Sequence, residues 1–220
     1  MTDYPAEPWR LCGDMYLAVW PVPVRRLPAD RLPPGVRPLT VAGRGVVVTF
    51  WVDYRPGGVL AYRELLVAVA VRHGRRIACT AVSVWVDDER SMAGGRELWG
   101  IPKDLGTFTF DVTAPAGGRR RSRGGTVRTR LRTGDADGPA VATGTFRDLL
   151  RLPGRWPVRS HLVQRRSDGR VCEVPLRLTG TVSPGRARLS VPPTGPLAHL
   201  HGRRPLLALA LRDFRFTVGR

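Results

Sequence analysis

Apolar residues recur along this chain mostly in short runs of β-branched and aromatic side chains, separated by clusters of Gly, Pro and Asp. Val46-Val47-Val48-Thr49-Phe50-Trp51-Val52 is the clearest such run, and its residue types suit a pleated, half-buried surface. Leu60 to Val71 and Arg76 to Val86 read as two more strands, joined by a hairpin turn at Arg72-His73-Gly74-Arg75. Met15 to Trp20, Thr107 to Val112, Thr126 to Arg132, Ala140 to Phe146, Val171 to Thr181 and Ala187 to Val191 complete the expected set. Leu206 to Val218 reads as strand throughout or as a helical turn leading into one. Helical pattern is confined to Glu89 to Leu98 and to a short stretch, Leu27 to Leu32. The first has Asp87 or Asp88 as N-cap, and Gly100 with Pro102 as stop signals. Many short strands with few helices imply a sandwich or barrel and not a βαβ sheet.

Composition narrows the class. The 220 residues suit one domain, 1–220, and 42% hydrophobic with 25% charged residues is ordinary for a globular protein. No apolar run reaches the ~18 residues of a membrane span, and Met1 to Leu11 lacks the basic start and apolar stretch of a secretory signal. Cys12, Cys79 and Cys172 are odd in number and widely spaced, so neither a disulfide framework nor a metal site is indicated. A cytoplasmic location is expected.

The net charge of +18 changes the picture less than it first suggests. Lys and Arg total 36, of which one is lysine, leaving 35 arginines; Asn is absent and Ile occurs twice. Residues with AT-rich codons are scarce, as in a GC-rich genome that writes Arg wherever a cation is wanted. The densest cluster, Arg119-Arg120-Arg121-Ser122-Arg123, lies in a Gly-rich segment without aromatic stacking partners, which reads as a solvated loop and argues against a nucleic-acid site.

The one lysine, Lys103, is therefore conspicuous. It sits in Gly94-Gly95-Arg96-Glu97-Leu98-Trp99-Gly100-Ile101-Pro102-Lys103-Asp104-Leu105-Gly106. A helix is expected to end at Gly100, Pro102 fixes the backbone, and apolar Trp99, Ile101 and Leu105 flank the amine. Burial there would disfavour the ammonium form and depress the lysine pKa. A neutral amine can attack a ketone to form an imine, which an arginine cannot do.

The segment resembles the acetoacetate decarboxylase family, whose motif runs Gly-Arg-Glu-Leu, three variable positions, then Pro-Lys-Lys-Leu-Gly. Gly95 to Leu98 and Pro102 to Gly106 match at the same spacing. Tyr62-Arg63-Glu64 looks like the family's Tyr-x-Glu strand. Asp168 to Glu173 and Gly195 to Leu200 resemble two later segments in the same order. The resemblance implies a cofactor-free mechanism in which Lys103 condenses with a keto acid and Glu64 positions substrate or handles protons. It also implies an oligomer and a small-molecule keto acid or ketone as partner.

Three positions depart from the family pattern. Asp104 replaces the second lysine of the pair; in extended backbone it would face away from Lys103, and otherwise it would raise the lysine pKa. The second acid of the family's site, counted fifteen residues before Glu64, falls on Thr49, with Asp53 the nearest carboxylate. The substrate-binding arginine falls near Gly13, with Arg10 the nearest guanidinium for a carboxylate. An imine-forming centre with altered carboxylate handling implies a lyase that acts by decarboxylation, or by aldolase or dehydratase chemistry. A ligand-binding member without turnover is the alternative.

The remaining candidates read as structural. His73, His161, His199 and His201 show no metal-ligand spacing, although His199 and His201 would share a strand face. Gly94-Gly95 is not a phosphate loop. Cys172 reads as packing and not as a nucleophile, Arg96 and Glu97 as an ion pair behind the lysine, and Trp99 as pocket wall or plain core. The expected fold is predominantly antiparallel β (α+β), a β-barrel or cone with short peripheral helices and the ligand inside.

Overall fold

In the computed structural model the described residues are 3–113, 125–134 and 138–220. The arginine cluster at 119–123, expected as a solvated loop, and residues 135–137 lie outside them. The strands are β1 Trp9–Pro23, β2 Val36–Pro38, β3 Thr40–Val41, β4 Arg44–Tyr54, β5 Tyr62–His73 and β6 Arg76–Val86. After helix α1, Glu89–Trp99, come β7 Lys103–Leu105, β8 Thr107–Thr113, β9 Thr126–Arg132, β10 Ala140–Asp148, β11 Trp156–Arg165, β12 Val171–Ser190 and β13 Leu207–Val218. The predicted β class holds, with one α-helix among the described residues. Leu206 to Val218 is strand, without a leading helical turn, and Leu27 to Leu32 contains only 3-10 turns.

Pairing runs β11-β6-β5-β4-β1-β13-β12, and β11 also pairs β12, so these seven strands close on themselves. Neighbours are antiparallel except at β6, which takes β7 and β11 as parallel partners. β12 is long enough to leave the ring and pair with β10, extending the sheet through β9 to β8. Its 20 residues merge two expected strands. β11 had no expectation, because Trp156-Pro157-Val158-Arg159 alternates weakly and carries a proline.

Strand alternation divides the ring's side chains between two cores. One face packs against β8, β9 and β10, where Trp20, Trp51, Val67, Leu131 and Phe146 meet. The other gathers Trp9, Val52, Tyr62, Val84, Leu178 and Phe214, together with Trp99 of α1. Register shifts in β13 opposite Gly13/Met15 and in β6 opposite Val67/Ala68 mark bulges. A bulge adds one residue and so reverses which face later side chains take.

α1 starts where Asp88 accepts the Ser91 backbone N–H at 2.8 Å, a side-chain cap, and it ends at Gly100 in the left-handed conformation. Its turn into β7 is held by Ile101 N–H bonding to the Gly95 carbonyl and by the parallel pair Val84↔Lys103. That pairing aims Lys103 into the second core.

Because the two cores lie on opposite faces, truncation in the first should lower stability without disturbing the second. Leu131→Ala, at a fully buried position, should cost about 2–5 kcal/mol in urea unfolding. The NMR signal of the chain's single lysine should stay unchanged; a shifted lysine signal would contradict the separation.

Candidate active site

Lys103 is buried, and its Nζ lies 2.9 Å from Glu64 Oε2, 2.9 Å from Ser91 Oγ and 3.4 Å from the Tyr62 hydroxyl. An ammonium has three N–H donors, and three acceptors surround it. Tyr62 and Glu64 are two residues apart on β5 and therefore share a face, while Ser91 comes from the first turn of α1. Tyr54, on β4, places its hydroxyl 3.5 Å from Glu64 Oε1 and stacks at 4.5 Å on Tyr62.

The electrostatics correct one expectation. Burial is the largest influence on Lys103 and pulls its pKa down, but Glu64 and Tyr62 outweigh it, so the pKa lies above the ordinary 10.5. Apolar flanks alone would depress it; a carboxylate in contact reverses the sign. Leu105, expected as one of those flanks, is 42% exposed. Burial also pushes Tyr62 up to about 12 and Tyr54 well above its usual value.

Two helix glycines make the lysine's position possible. A Cβ on Gly95 would lie 2.7 Å from Lys103 Cδ, and one on Gly94 would lie 2.5 Å from the Trp9 ring. The Gly94-Gly95 pair thus serves close packing, with Trp9 set edge-on to Trp99 at 4.9 Å. Arg96 binds the Lys103 carbonyl through Nε at 2.6 Å and Asp104 through Nη2 at 2.6 Å. Its ion partner is therefore Asp104, not Glu97. Asp104 is exposed, on the strand face opposite Lys103.

Lys103, Glu64, Tyr62 and Tyr54 border a cavity of about 380 Å³. Its wall is otherwise mostly apolar, with Leu11, Met15, Leu176, Leu178, Leu209 and Leu211 prominent beside the rings of Trp9, Phe50, Trp99 and Phe216. Trp99 forms part of this wall, and its Nε1 donates to Glu7 at 2.8 Å.

Arg10 does not reach the cavity. Trp9 and Leu11 on either side of it line the space, so alternation turns the exposed Arg10 outward. A side chain at position 13 would collide with the Asp53 carbonyl, which closes that site to any arginine. Thr49 faces the other core, where it accepts from Trp20 Nε1 at 2.9 Å. Asp53 lies outside beside Arg55 and Arg63. The cavity-facing residues of β4 are Phe50, Val52 and Tyr54.

Tyr54 and Ser91 were not singled out from sequence. Parity carried from Glu64 across the β4–β5 hairpin could have found Tyr54, but no local signal marks Ser91. His199 is in a 3-10 turn, not on a strand face with His201; burial first, then Arg31 and Arg203, hold its pKa at about 4. No group of three or more His, Cys, Asp or Glu is arranged for a metal among the described residues. Cys79 lines the cavity as a thiol, since burial pushes its pKa up to about 11. Cys172 packs its thiol against the Trp99 carbonyl.

A sequence model of acetoacetate decarboxylase (ADC) matches residues 15–155, a span that contains both Glu64 and Lys103. The chain belongs to the acetoacetate decarboxylase family. No curated protein matches it. Among solved structures it is similar to acetoacetate decarboxylase from Legionella pneumophila subsp. pneumophila str. Philadelphia 1, at 20% identity and TM-score 0.70, covering 100% of this chain and 88% of that one. The enduracididine biosynthesis enzyme MppR, complexed with the condensation product of pyruvate and imidazole 4-carboxaldehyde, is 19% identical with TM-score 0.68, covering 100% and 90%. An acetoacetate decarboxylase-like enzyme from Sphingomonas wittichii RW1 is 17% identical with TM-score 0.66, covering 100% and 92%. At these identities the likeness is one of fold. No helix among the described residues is long and apolar enough to cross a membrane.

Two substitutions test the site's physics. Glu64→Gln removes the largest influence raising the Lys103 pKa and leaves burial, so a ¹³Cε titration of the single lysine should move to lower pH than in the wild type; an unmoved titration would contradict the account. The sign for stability follows from the same shift. The pair's contribution is fully present below the unfolded pKa of 10.5 and is lost as pH rises through the higher folded value, so wild type should lose this increment above that pH. Gly95→Ala should displace the lysine stem and shift the ¹³Cε signal of Lys103, while helix propensity favours Ala by ~1 kcal/mol and the unfolding midpoint changes little; an unshifted signal would contradict the close packing.

Proposed function

We propose that the chain is a lyase of the acetoacetate decarboxylase type that acts through an imine between Lys103 and a carbonyl compound. The observation that carries this reading is a single amine, paired with a carboxylate at 2.9 Å, at the polar end of an otherwise apolar cavity. Structures of MppR with pyruvate and with a pyruvate condensation product put carbonyl compounds in a protein of this fold, which supports the substrate class.

The raised pKa means that the resting pair is ammonium and carboxylate, so the nucleophile has to be generated in place. Glu64 takes a proton from Lys103 as the carbonyl displaces the hydrogen bonds around Nζ. The freed electron pair adds to the carbonyl carbon, and one proton passes from the new ammonium to the alkoxide to give the carbinolamine. Glu64 returns its proton to that hydroxyl, and water leaves as the nitrogen pair forms the C=N bond. The resulting iminium accepts the electron pair of a bond to the neighbouring carbon as that bond breaks. The enamine is then protonated on carbon and hydrolysed, which restores the amine. Tyr54 holds Glu64 from the other side, and Ser91 receives the Lys103 hydrogen bond in the resting state.

A second reading, a binder without turnover, draws on Thr49 and Gly13, which leave the cavity without the second acid and the arginine of the family pattern. Both readings include ligand at Lys103; they separate on product formation.

Borohydride reduction with a panel of keto acids, ketones and aldehydes, followed by peptide mass analysis, tests the imine. The expected result is a stable adduct on Lys103, the only side-chain amine in the chain. Lys103→Arg keeps a cation opposite Glu64 and should abolish trapping while the fold remains. Absence of an adduct with every member of the panel would remove the imine reading.

A further inference from the structure

We propose that the substrate of this cavity is a neutral, apolar ketone or aldehyde of about a dozen non-hydrogen atoms, without a free carboxylate, so that the bond broken beside the carbonyl is not a bond to CO2. This rests on the imine reading above and names its substrate class.

Charge is the first reason. The described residues of the cavity wall contribute two charges, Lys103 and Glu64, and these cancel each other at 2.9 Å. All three ammonium donors are already engaged, by Glu64, Ser91 and Tyr62. A carboxylate entering with the substrate would add a net negative charge to a mostly apolar cavity with no second cation in its described wall, and an unpaired buried charge is strongly disfavoured. Alternation on the ring strands explains the lack of a partner. Arg10, Arg63, Arg177 and Arg215 each lie next to cavity-lining residues and therefore project from the opposite face. The one position where the family pattern would supply an arginine, Gly13, admits no side chain.

Size is the second. At a liquid-like share of about 30 Å³ per water-sized group, 380 Å³ accommodates about a dozen non-hydrogen atoms. The smallest keto acids would leave much of that space unfilled. The wall away from Lys103 offers Leu176, Leu178, Leu209 and Leu211 to an alkyl or alicyclic body, and each methylene buried there strengthens binding about fourfold.

The chemistry follows from the class. With no carboxylate to lose, the iminium draws electrons from a Cα–H or Cα–Cβ bond. In the simpler case Glu64 accepts the α-proton, the C–H pair becomes the enamine double bond, and the iminium π pair moves onto Nζ. The same enamine arises when a β-hydroxy carbonyl compound gives its hydroxyl proton to Glu64 and its Cα–Cβ bond breaks, releasing the second carbonyl fragment.

The test compares 2-decanone, 2-oxodecanoate and acetoacetate at equal concentration with the full-length protein. Adduct on Lys103 is measured after borohydride reduction, and binding is followed separately by tryptophan fluorescence, since Trp9 and Trp99 both line the cavity. The expected result is at least tenfold more adduct with 2-decanone than with either acid, and no acetone released from acetoacetate above the spontaneous rate. Equal or greater adduct from an acid, or catalysed acetone release, overturns the neutral class and leaves the imine standing. Fluorescence binding of 2-decanone alone, with no adduct from any compound, supports the neutral class and removes the imine reading. Absence of both binding and adduct with 2-decanone overturns the proposal.

Discussion

The buried ammonium–carboxylate pair of Lys103 and Glu64 imposes conditions on much of the surrounding structure. An ion pair inside an apolar core repays its desolvation only when the remaining donors are satisfied. Here that requirement draws on two further elements. Tyr62 accompanies Glu64 on β5, and Ser91 arrives on the first turn of α1. The helix must therefore begin where Asp88 caps it and run close enough for Ser91 to reach the amine. Breaking such a pair from one side typically costs about 3–5 kcal/mol, so the contacts around Lys103 also hold α1 and β7 in place.

Close approach makes that arrangement affordable in space. Gly95 lets the lysine stem pass beside the helix, and Gly94 lets Trp9 press onto it. Arg96 then fixes the backbone from outside by binding the Lys103 carbonyl while Asp104 fixes the guanidinium. The Asp that replaces the family's second lysine is thus part of an exterior clamp. Its charge is turned away from Lys103 by the period of two in the strand.

The same alternation reconciles a net charge of +18 with an interior whose described charges cancel. Along the closed strands, aliphatic and aromatic side chains face the cavity, and the arginines between them face outward. The basic composition therefore says little about the ligand. The cavity presents one amine, one carboxylate, two tyrosines, Ser160 and the Cys79 thiol against an otherwise apolar wall.

Local chemistry made the strands legible. β-Branched runs and Gly or Pro breaks identified most of the ring, and β6 and β9 agree with their expected bounds. Asp88, Gly100 and Pro102 bounded α1 correctly to within a residue, and a single lysine within a spaced motif marked the centre of the site. Absolute facing was another matter. A period of two states which residues of one strand share a face, but only the register between strands says which face holds Lys103. Arg10 and Asp53 were plausible neighbours by sequence distance, yet both point outward, and Thr49 serves the opposite core. Bulges in β13, opposite Gly13/Met15, and in β6 reverse parity part-way along a strand, and the collision at position 13 comes from the neighbouring strand. The raised lysine pKa depends on the same non-local facts. The sequence by itself determined that one amine stands at the end of a short helix beside apolar residues. Tertiary structure decided that a carboxylate, a serine and a tyrosine converge on it, because those contacts join elements whose relative register no local pattern encodes.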